Sequence, residues 1–211
     1  MASLGHLRKD FGQTSLTRDA LATDGMEQFE KWLHQAVEVY HHEATAMNLA
    51  TVGRDGKPHS RIVLLKGIEQ GELLFFTNYL SDKGHQLDEN PHVAATFFWA
   101  KQERQVRIEG IARRCNDSES DAYFESRPLE SRLGAWASPQ SKVVSDDEVQ
   151  AAYDALQQQY GNGVVPRPSH WGGYIITPLL IEFWQGGAGR LHDRFVYRRR
   201  HNGWQIDRLA P

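Results

Sequence analysis

The feature that most constrains this chain is a series of hairpin-type turns set between short β-like segments. Arg54-Asp55-Gly56-Lys57, Gln70-Gly71 and His201-Asn202-Gly203 each divide two runs rich in β-branched, aromatic or alternating residues. Connections this short leave no room for a crossover helix, so they join neighbouring strands antiparallel. Strands are expected over 45–53, 60–66, 73–77, 92–99, 104–114, 170–184, 193–199 and 204–208. In the fifth of these, Gln105, Arg107 and Glu109 share one face and Val106, Ile108 and Gly110 the other.

Helices interrupt the strands. Asp24 with Glu27 reads as a capping box, and Phe29, Leu33 and Tyr40 follow at helical spacing, which predicts a helix near 26–42. Ser81 opens a short helix that Asn90-Pro91 ends. Asn116 with Glu119 caps another, Pro128 suits the first position of a further one, and Ser145 with Glu148 forms a second clear capping box before Val149, Tyr153, Leu156 and Tyr160. Eight or nine strands with four or five short helices make an α+β chain, an antiparallel β-barrel with helical insertions.

Several classes drop out. No Rossmann turn, phosphate-binding P-loop, nucleophile elbow or zinc spacing is present. His41-His42-Glu43 is not read as a metal site, because adjacent histidines point to different sides of a helix. With 24 basic and 27 acidic residues the net charge is −3, which argues against a general nucleic-acid binder; Arg198-Arg199-Arg200 is read as a solvated turn. No apolar run approaches the ~20 residues that span a bilayer. Residues 1–25 lack the apolar core of a secretion signal, and Cys115 is the only cysteine, so a reducing cytoplasm is expected.

Three stretches carry chemistry. Phe183-Trp184-Gln185-Gly186-Gly187-Ala188-Gly189-Arg190-Leu191-His192-Asp193-Arg194-Phe195 sets three glycines before a basic segment. On a strand, Arg190, His192 and Arg194 would share one face, suited to an anionic aromatic ligand. Thr77 through Gly84 reads as a strand end entering a helix N-terminus with hydroxyls and Lys83, where a phosphate binds readily; ordinary N-capping by Ser81 is the equal alternative reading. Tyr123, Arg127 and Ser131 are each four residues apart and would share a side if helical geometry continued through Pro128, giving a donor set for a phosphate. Strict alternation from 60 to 66 would put Arg61 and Lys66 on opposite faces unless the strand bends.

Taken in order, Arg61-Ile62-Val63-Leu64-Leu65-Lys66, Arg104-Gln105-Val106-Arg107-Ile108-Glu109-Gly110, Phe183-Trp184-Gln185-Gly186-Gly187, Arg190-Leu191-His192-Asp193-Arg194-Phe195 and the closing Ile206-Asp207-Arg208-Leu209-Ala210-Pro211 resemble the pyridoxine/pyridoxamine 5′-phosphate oxidase family over nearly the whole chain. The resemblance implies an FMN-binding antiparallel split barrel that works as a homodimer with FMN at the subunit interface. It implies oxidation of pyridoxine 5′-phosphate and pyridoxamine 5′-phosphate to pyridoxal 5′-phosphate, with O2 as the final acceptor, H2O2 released, and no metal, membrane or nucleic acid involved. The organisation expected is an arm or lid over 1–25, an FMN-binding domain over 26–168 and C-terminal dimerisation strands over 169–211. By matched position, the cofactor contacts are Arg61, Ile62, Val63, Leu64, Leu65, Lys66, Phe76, Thr77, Lys83, Gln105, Trp184 and Arg194, with Gln140 and Ser141 supplied by the partner chain. The substrate contacts are Lys66, Tyr123, Arg127 and Ser131 at the phosphate, the lid residues Arg8, Lys9, Asp10 and Phe11, and Arg190, Leu191 and His192 at the ring, with Arg190 and His192 as the catalytic pair. Asp82 departs from the family's usual arginine, Phe11 from a tyrosine and Lys9 from an arginine.

Overall fold

The structure is a computed structural model that describes residues 6, 10–12, 14–161 and 163–211. Helix α1 spans Gly25–Tyr40 and is followed by strands β1 (Ala46–Val52), β2 (Pro58–Leu64), β3 (Gly67–Glu69) and β4 (Glu72–Asn78). Next come α2 (Asp82–Glu89), β5 (His92–Trp99), β6 (Arg104–Arg114), α3 (Asp117–Ser126), α4 (Leu129–Ala137) and α5 (Glu148–Tyr160). The chain ends in β7 (Trp171–Gln185), β8 (Asp193–Arg200) and β9 (Gly203–Leu209). The strands order as β2-β1-β5-β6-β7-β4-β3, with β8 and β9 joined to β7.

Local chemistry sets most of these boundaries. Gln70 and Gly71 both have positive φ, 52° and 77°, and Glu69 pairs with Glu72, so β3 and β4 meet in the two-residue hairpin whose twist matches the strands. The Asn116 side chain accepts the Glu119 N–H and the Glu119 carboxylate returns to the Asn116 N–H, so α3 starts on a full capping box. Strand β7 changes partner along its length. Trp171 to Ile176 pair with β4, and Leu180 to Gln185 pair with β8. Pro178 lies between these two registers.

The chain divides into two compact units. One comprises 1–49, 94–110 and 178–211, the other 50–93 and 111–177. In the first, Phe29 meets Phe97 at 5.1 Å, and Phe183 sits edge-on to Trp32 and Tyr197. Those of them that are fully buried contribute roughly 2 kcal/mol each. The basic hairpin joining β8 and β9 is engaged internally: Arg198 pairs with Asp207, Arg199 lies over Trp204 and Arg200 bonds Gln205. In the second unit Phe75 stacks on Tyr174, while Phe124, Leu133, Val165 and Trp171 form a buried cluster under α3, α4 and α5. Among the described residues no helix is long and apolar enough to cross a membrane.

Three local expectations need correction. Helix α5 begins at Glu148 with Asp147 already in a helical conformation, and no side-chain cap bond forms there; Ser145 meets Glu148 through its backbone, its N–H reaching Glu148 Oε2 at 3.3 Å and its carbonyl accepting the Glu148 N–H at 3.2 Å. Helix α3 stops at Ser126 and Arg127 is extended, so Tyr123, Arg127 and Ser131 do not ride one helix. Strand β8 starts only at Asp193, so Arg190, His192 and Arg194 do not alternate on a strand; Gly189 and Arg190, with φ of 61° and 65°, turn the chain the other way.

Candidate functional site

A cavity of about 690 Å³ in the second unit gathers most of the residues singled out from sequence. Arg61, Ile62, Val63, Leu64 and Lys66 line it, with Phe76, Thr77, Lys83, Tyr123, Arg127, Gln140 and Ser141. Strand β2 ends at Leu64 and β3 starts at Gly67, which resets the alternation and lets Arg61 and Lys66 face the same space. Leu65 is the exception in that run, since its side chain is buried at 4% exposure and packs into the core. Ser131 lines an adjoining cavity that shares Phe76, Thr77, Arg127, Gln140 and Trp171 with the first. Gln140 and Ser141, expected to come from a partner chain, stand beside Lys83 and Asp82 of their own chain, as Lys83 Nζ donates to Gln140 Oε1 at 3.0 Å and the Asp82 N–H to Ser141 Oγ at 3.3 Å.

The cationic groups are held in place before any ligand arrives. Arg61 Nη1 donates to Thr51 Oγ1 at 2.6 Å and Nη2 to Gln86 Oε1 at 3.1 Å, with Thr51 itself donating to Gln86. Neither Thr51 nor Gln86 was marked by the sequence. Their contact with Arg61 joins β1, β2 and α2, which periodicity within one element does not reveal. Lys83 is buried and donates to Thr77 Oγ1, Ser81 Oγ and Gln140 Oε1. Ser81 also accepts the Gly84 N–H, so it is both cap and site residue. Burial, and then the Arg61 charge, push the Lys83 pKa down to about 8, with Asp82 opposing. Burial likewise lowers Arg61 and Arg127 and raises Tyr123.

Arg127 is the most informative member. Its guanidinium lies 4.5 Å from the centre of the Trp171 ring, and its buried Nη1 has no hydrogen-bond partner among the described residues. A buried charged donor without an acceptor is costly unless something supplies one. Four cations (Arg61, Lys66, Lys83, Arg127) against the single carboxylate of Asp82 line the cavity, so the donor set fits a phosphate-bearing cofactor and a second phosphate. The tightest backbone point nearby is Gly84, where an added Cβ would fall 2.0 Å from the Tyr79 carbonyl oxygen. Gly84→Ala is therefore expected to cost about 1–3 kcal/mol in urea unfolding and to displace Lys83; an unchanged midpoint would show that the turn relaxes freely.

The first unit carries the other set. His192 packs against Trp184 with ring centres 4.6 Å apart, and Phe11 stands edge-on to both rings. The Gly187 N–H donates to His192 Nδ1 at 3.1 Å, which leaves the proton of the neutral ring on Nε2, free to donate. Arg190 is exposed with φ of 65°, beside the exposed Leu191. Arg194 is held by the buried Glu182, whose other oxygen takes Arg107 at 2.7 Å. Gln105 is half-buried on β6, and Asp10 is exposed. Arg8 and Lys9 lie outside the described residues.

A family model described as pyridoxamine 5′-phosphate oxidase matches residues 33–160, and one described as the pyridoxine 5′-phosphate oxidase C-terminal dimerisation region matches 171–211. A pyridoxine/pyridoxamine 5′-phosphate oxidase of Acaryochloris marina is 50% identical over 99% of this chain and 96% of its own. One of Thermosynechococcus vestitus is 50% identical over the whole of both chains. Among solved structures, PhzG from Burkholderia lata, in complex with tetrahydrophenazine-1-carboxylic acid, superimposes with a TM-score of 0.88 at 28% identity, covering 95% of this chain and 99% of that one. A pyridoxamine 5′-phosphate oxidase-related, FMN-binding protein of Nostoc punctiforme has a TM-score of 0.71 at 15% identity, covering 90% of this chain and 100% of its own, and shows the shared fold.

Proposed function

The chain belongs to the pyridoxamine 5′-phosphate oxidase family, and we propose that its described cavity holds the phosphates of cofactor and substrate while the Arg190–His192 segment holds the substrate ring. It is an FMN-dependent enzyme, a homodimer of the split-barrel α+β fold, that oxidises pyridoxine and pyridoxamine 5′-phosphates to pyridoxal 5′-phosphate. When bound, FMN would supply the two-electron acceptor for the hydride of the substrate's 4′ carbon, with O2 as the final oxidant and H2O2 as its product.

The protein's own residues bind, orient and exclude water. Arg61 and Lys83, with Thr77, Gln140 and Ser141, are assigned to the cofactor phosphate and its attached chain, and Ile62 to Lys66, Phe76, Gln105, Trp184 and Arg194 to the rest of the cofactor. Lys66, Tyr123, Arg127 and Ser131 are assigned to the substrate phosphate. Arg190 covers the pyridine ring, since a guanidinium can stack on an aromatic face. The Nε2 proton of His192 is donated to the ring's 3-oxygen. Phe11 and Trp184 keep water from that side. The arm over 1–25, the domain over 26–168 and the dimerisation strands over 169–211 are proposed as the working divisions. A cytoplasmic location is proposed on the strength of the single buried cysteine.

The observation that carries the phosphate assignment is the buried Nη1 of Arg127, without a hydrogen-bond partner among the described residues, in a cavity lined by four cations. The purified protein is expected to be yellow, to bleach on adding pyridoxamine 5′-phosphate under nitrogen, and to regain its colour in air with release of H2O2. A flavin that stays oxidised under nitrogen sinks the reading.

Lys83 adds a pH signature. Its folded pKa of about 8 lies below the ordinary lysine value of 10.5, so without FMN the folded chain holds fewer protons than the unfolded one between those values. In that window stability without FMN rises with pH, and it is lost as pH falls through about 8. A phosphate needs the charged lysine, so FMN affinity runs the opposite way and is expected to weaken about 10-fold from neutral pH to well above this pKa. Fluorescence titration of FMN across that range, with Lys83→Met as the pH-flat control, checks it.

A further inference from the structure

Glu103 occupies a place where a glycine would be the cheaper choice. It closes the 3-10 turn Ala100–Gln102 with φ 55° and ψ 40°, the left-handed conformation that disfavours any residue with a Cβ. Yet it is 1% exposed, so a carboxylate has been taken out of water at a strained position. Its bonds join distant segments. The Glu103 carbonyl accepts the Gly186 N–H at 2.7 Å and Gln185 Nε2 at 3.2 Å. Its Oε2 accepts the Gly12 N–H at 2.9 Å.

Both segments bear on His192. Phe11, next to Gly12, meets the His192 ring at 5.5 Å and the Trp184 ring at 5.6 Å. An added Cβ on Gly186 would lie 2.7 Å from Phe11 Cδ1 and 3.0 Å from both Phe11 Cβ and Glu103 Cβ, so the missing side chain of Gly186 is the seat of the phenyl ring. The following residue, Gly187, makes the bond to His192 Nδ1. We infer that Glu103 is a positioning residue, a latch that holds residues 11–12 of the arm over His192 and Trp184 and ties them to the glycine turn that orients His192. A buried carboxylate binding a backbone N–H is a strong form of such a tie.

The kinetic consequence rests on the oxidase reading; the latch itself does not. Glu103→Gly removes the carboxylate and suits the left-handed backbone, so the fold is retained. In the FMN-loaded dimer, amide hydrogen exchange over 10–17 and 184–192 is expected to quicken about 10-fold or more, with β4 unchanged. Glu103→Gln, which keeps an acceptor oxygen, is expected to restore most of the protection. Gly186→Ala, which fills the phenyl seat, should release 10–17 in the same way and serves if Glu103→Gly does not fold. The KM for pyridoxine 5′-phosphate is expected to rise about 10-fold in Glu103→Gly with little change in kcat, and the same substitution in Phe11→Ala protein should add nothing, because both act through one contact. Full protection of 10–17 in both variants, or equal KM penalties with and without Phe11, overturns the latch. A wild-type protein that fails to oxidise the substrate would count against the oxidase reading alone, and the exchange result would still decide the latch.

Discussion

Arg127→Met is expected to raise the KM for pyridoxine 5′-phosphate about 100-fold while leaving FMN bound, which corresponds to the ~1.5–3 kcal/mol of a charge-assisted hydrogen bond. The case rests on what Arg127 does without a ligand. Its guanidinium is flattened on Trp171, half-buried, with Nη1 lacking any acceptor among the described residues. That arrangement costs the free protein and is offset only when an anion arrives. Methionine is shorter but keeps an unbranched apolar stem that can pack on the indole, so the unliganded variant should be as stable as the parent or slightly more so. Loss of substrate affinity with no loss of stability is the distinguishing pair. Thermal unfolding and steady-state kinetics on the same preparation read both. A drop in FMN content with an unchanged KM would instead reassign Arg127 to the cofactor.

Much of this architecture was legible because it is written locally. Strands over 92–99 and 104–114 follow from period-two patterning, and the buried Val106 and Ile108 lie opposite the more exposed Gln105, Arg107 and Glu109 as that pattern requires. The Asn116–Glu119 box is decided within four residues. What periodicity does not carry is the sign of φ. Three basic or proton-bearing residues at alternate positions look like a strand face, and only the left-handed pair Gly189 and Arg190 shows that the chain turns there. Nor does it carry parity across a break, as when β2 ends at Leu64 and Arg61 and Lys66 come to face one cavity. Contacts between distant segments are beyond it altogether: Thr51 with Gln86, 35 residues apart, and Glu103 with Gly12, 91 apart, hold the site in shape without a local signature. Lys83, Tyr123, Arg127, Ser131, Arg190, His192 and Arg194 were marked by residue type and spacing and the remaining site residues through the family resemblance, and one cavity gathers Arg61, Lys66, Lys83, Tyr123 and Arg127.

Substitutions at Arg190 are expected to move stability and activity in opposite directions. It sits with φ of 65° directly after Gly189 at 61°, so two consecutive residues adopt a conformation that only glycine takes without strain. A Cβ there costs roughly 1–2 kcal/mol, and Arg190→Gly removes that cost while adding about 0.5–1 kcal/mol of unfolded-state entropy. The variant should thus unfold at the same denaturant concentration as the parent or a little higher. Its turnover at saturating pyridoxine 5′-phosphate is nonetheless expected to fall about 100-fold or more, because His192 then orients the substrate ring without the guanidinium that covers its face. Arg190→Ala keeps the strain and should show the same loss of turnover at lower stability than the glycine variant. Arg190→Lys retains the charge but not the planar face, and is expected to recover little. Near-parental kcat in the alanine variant would remove Arg190 from the chemistry and leave its left-handed backbone as a feature of the turn alone.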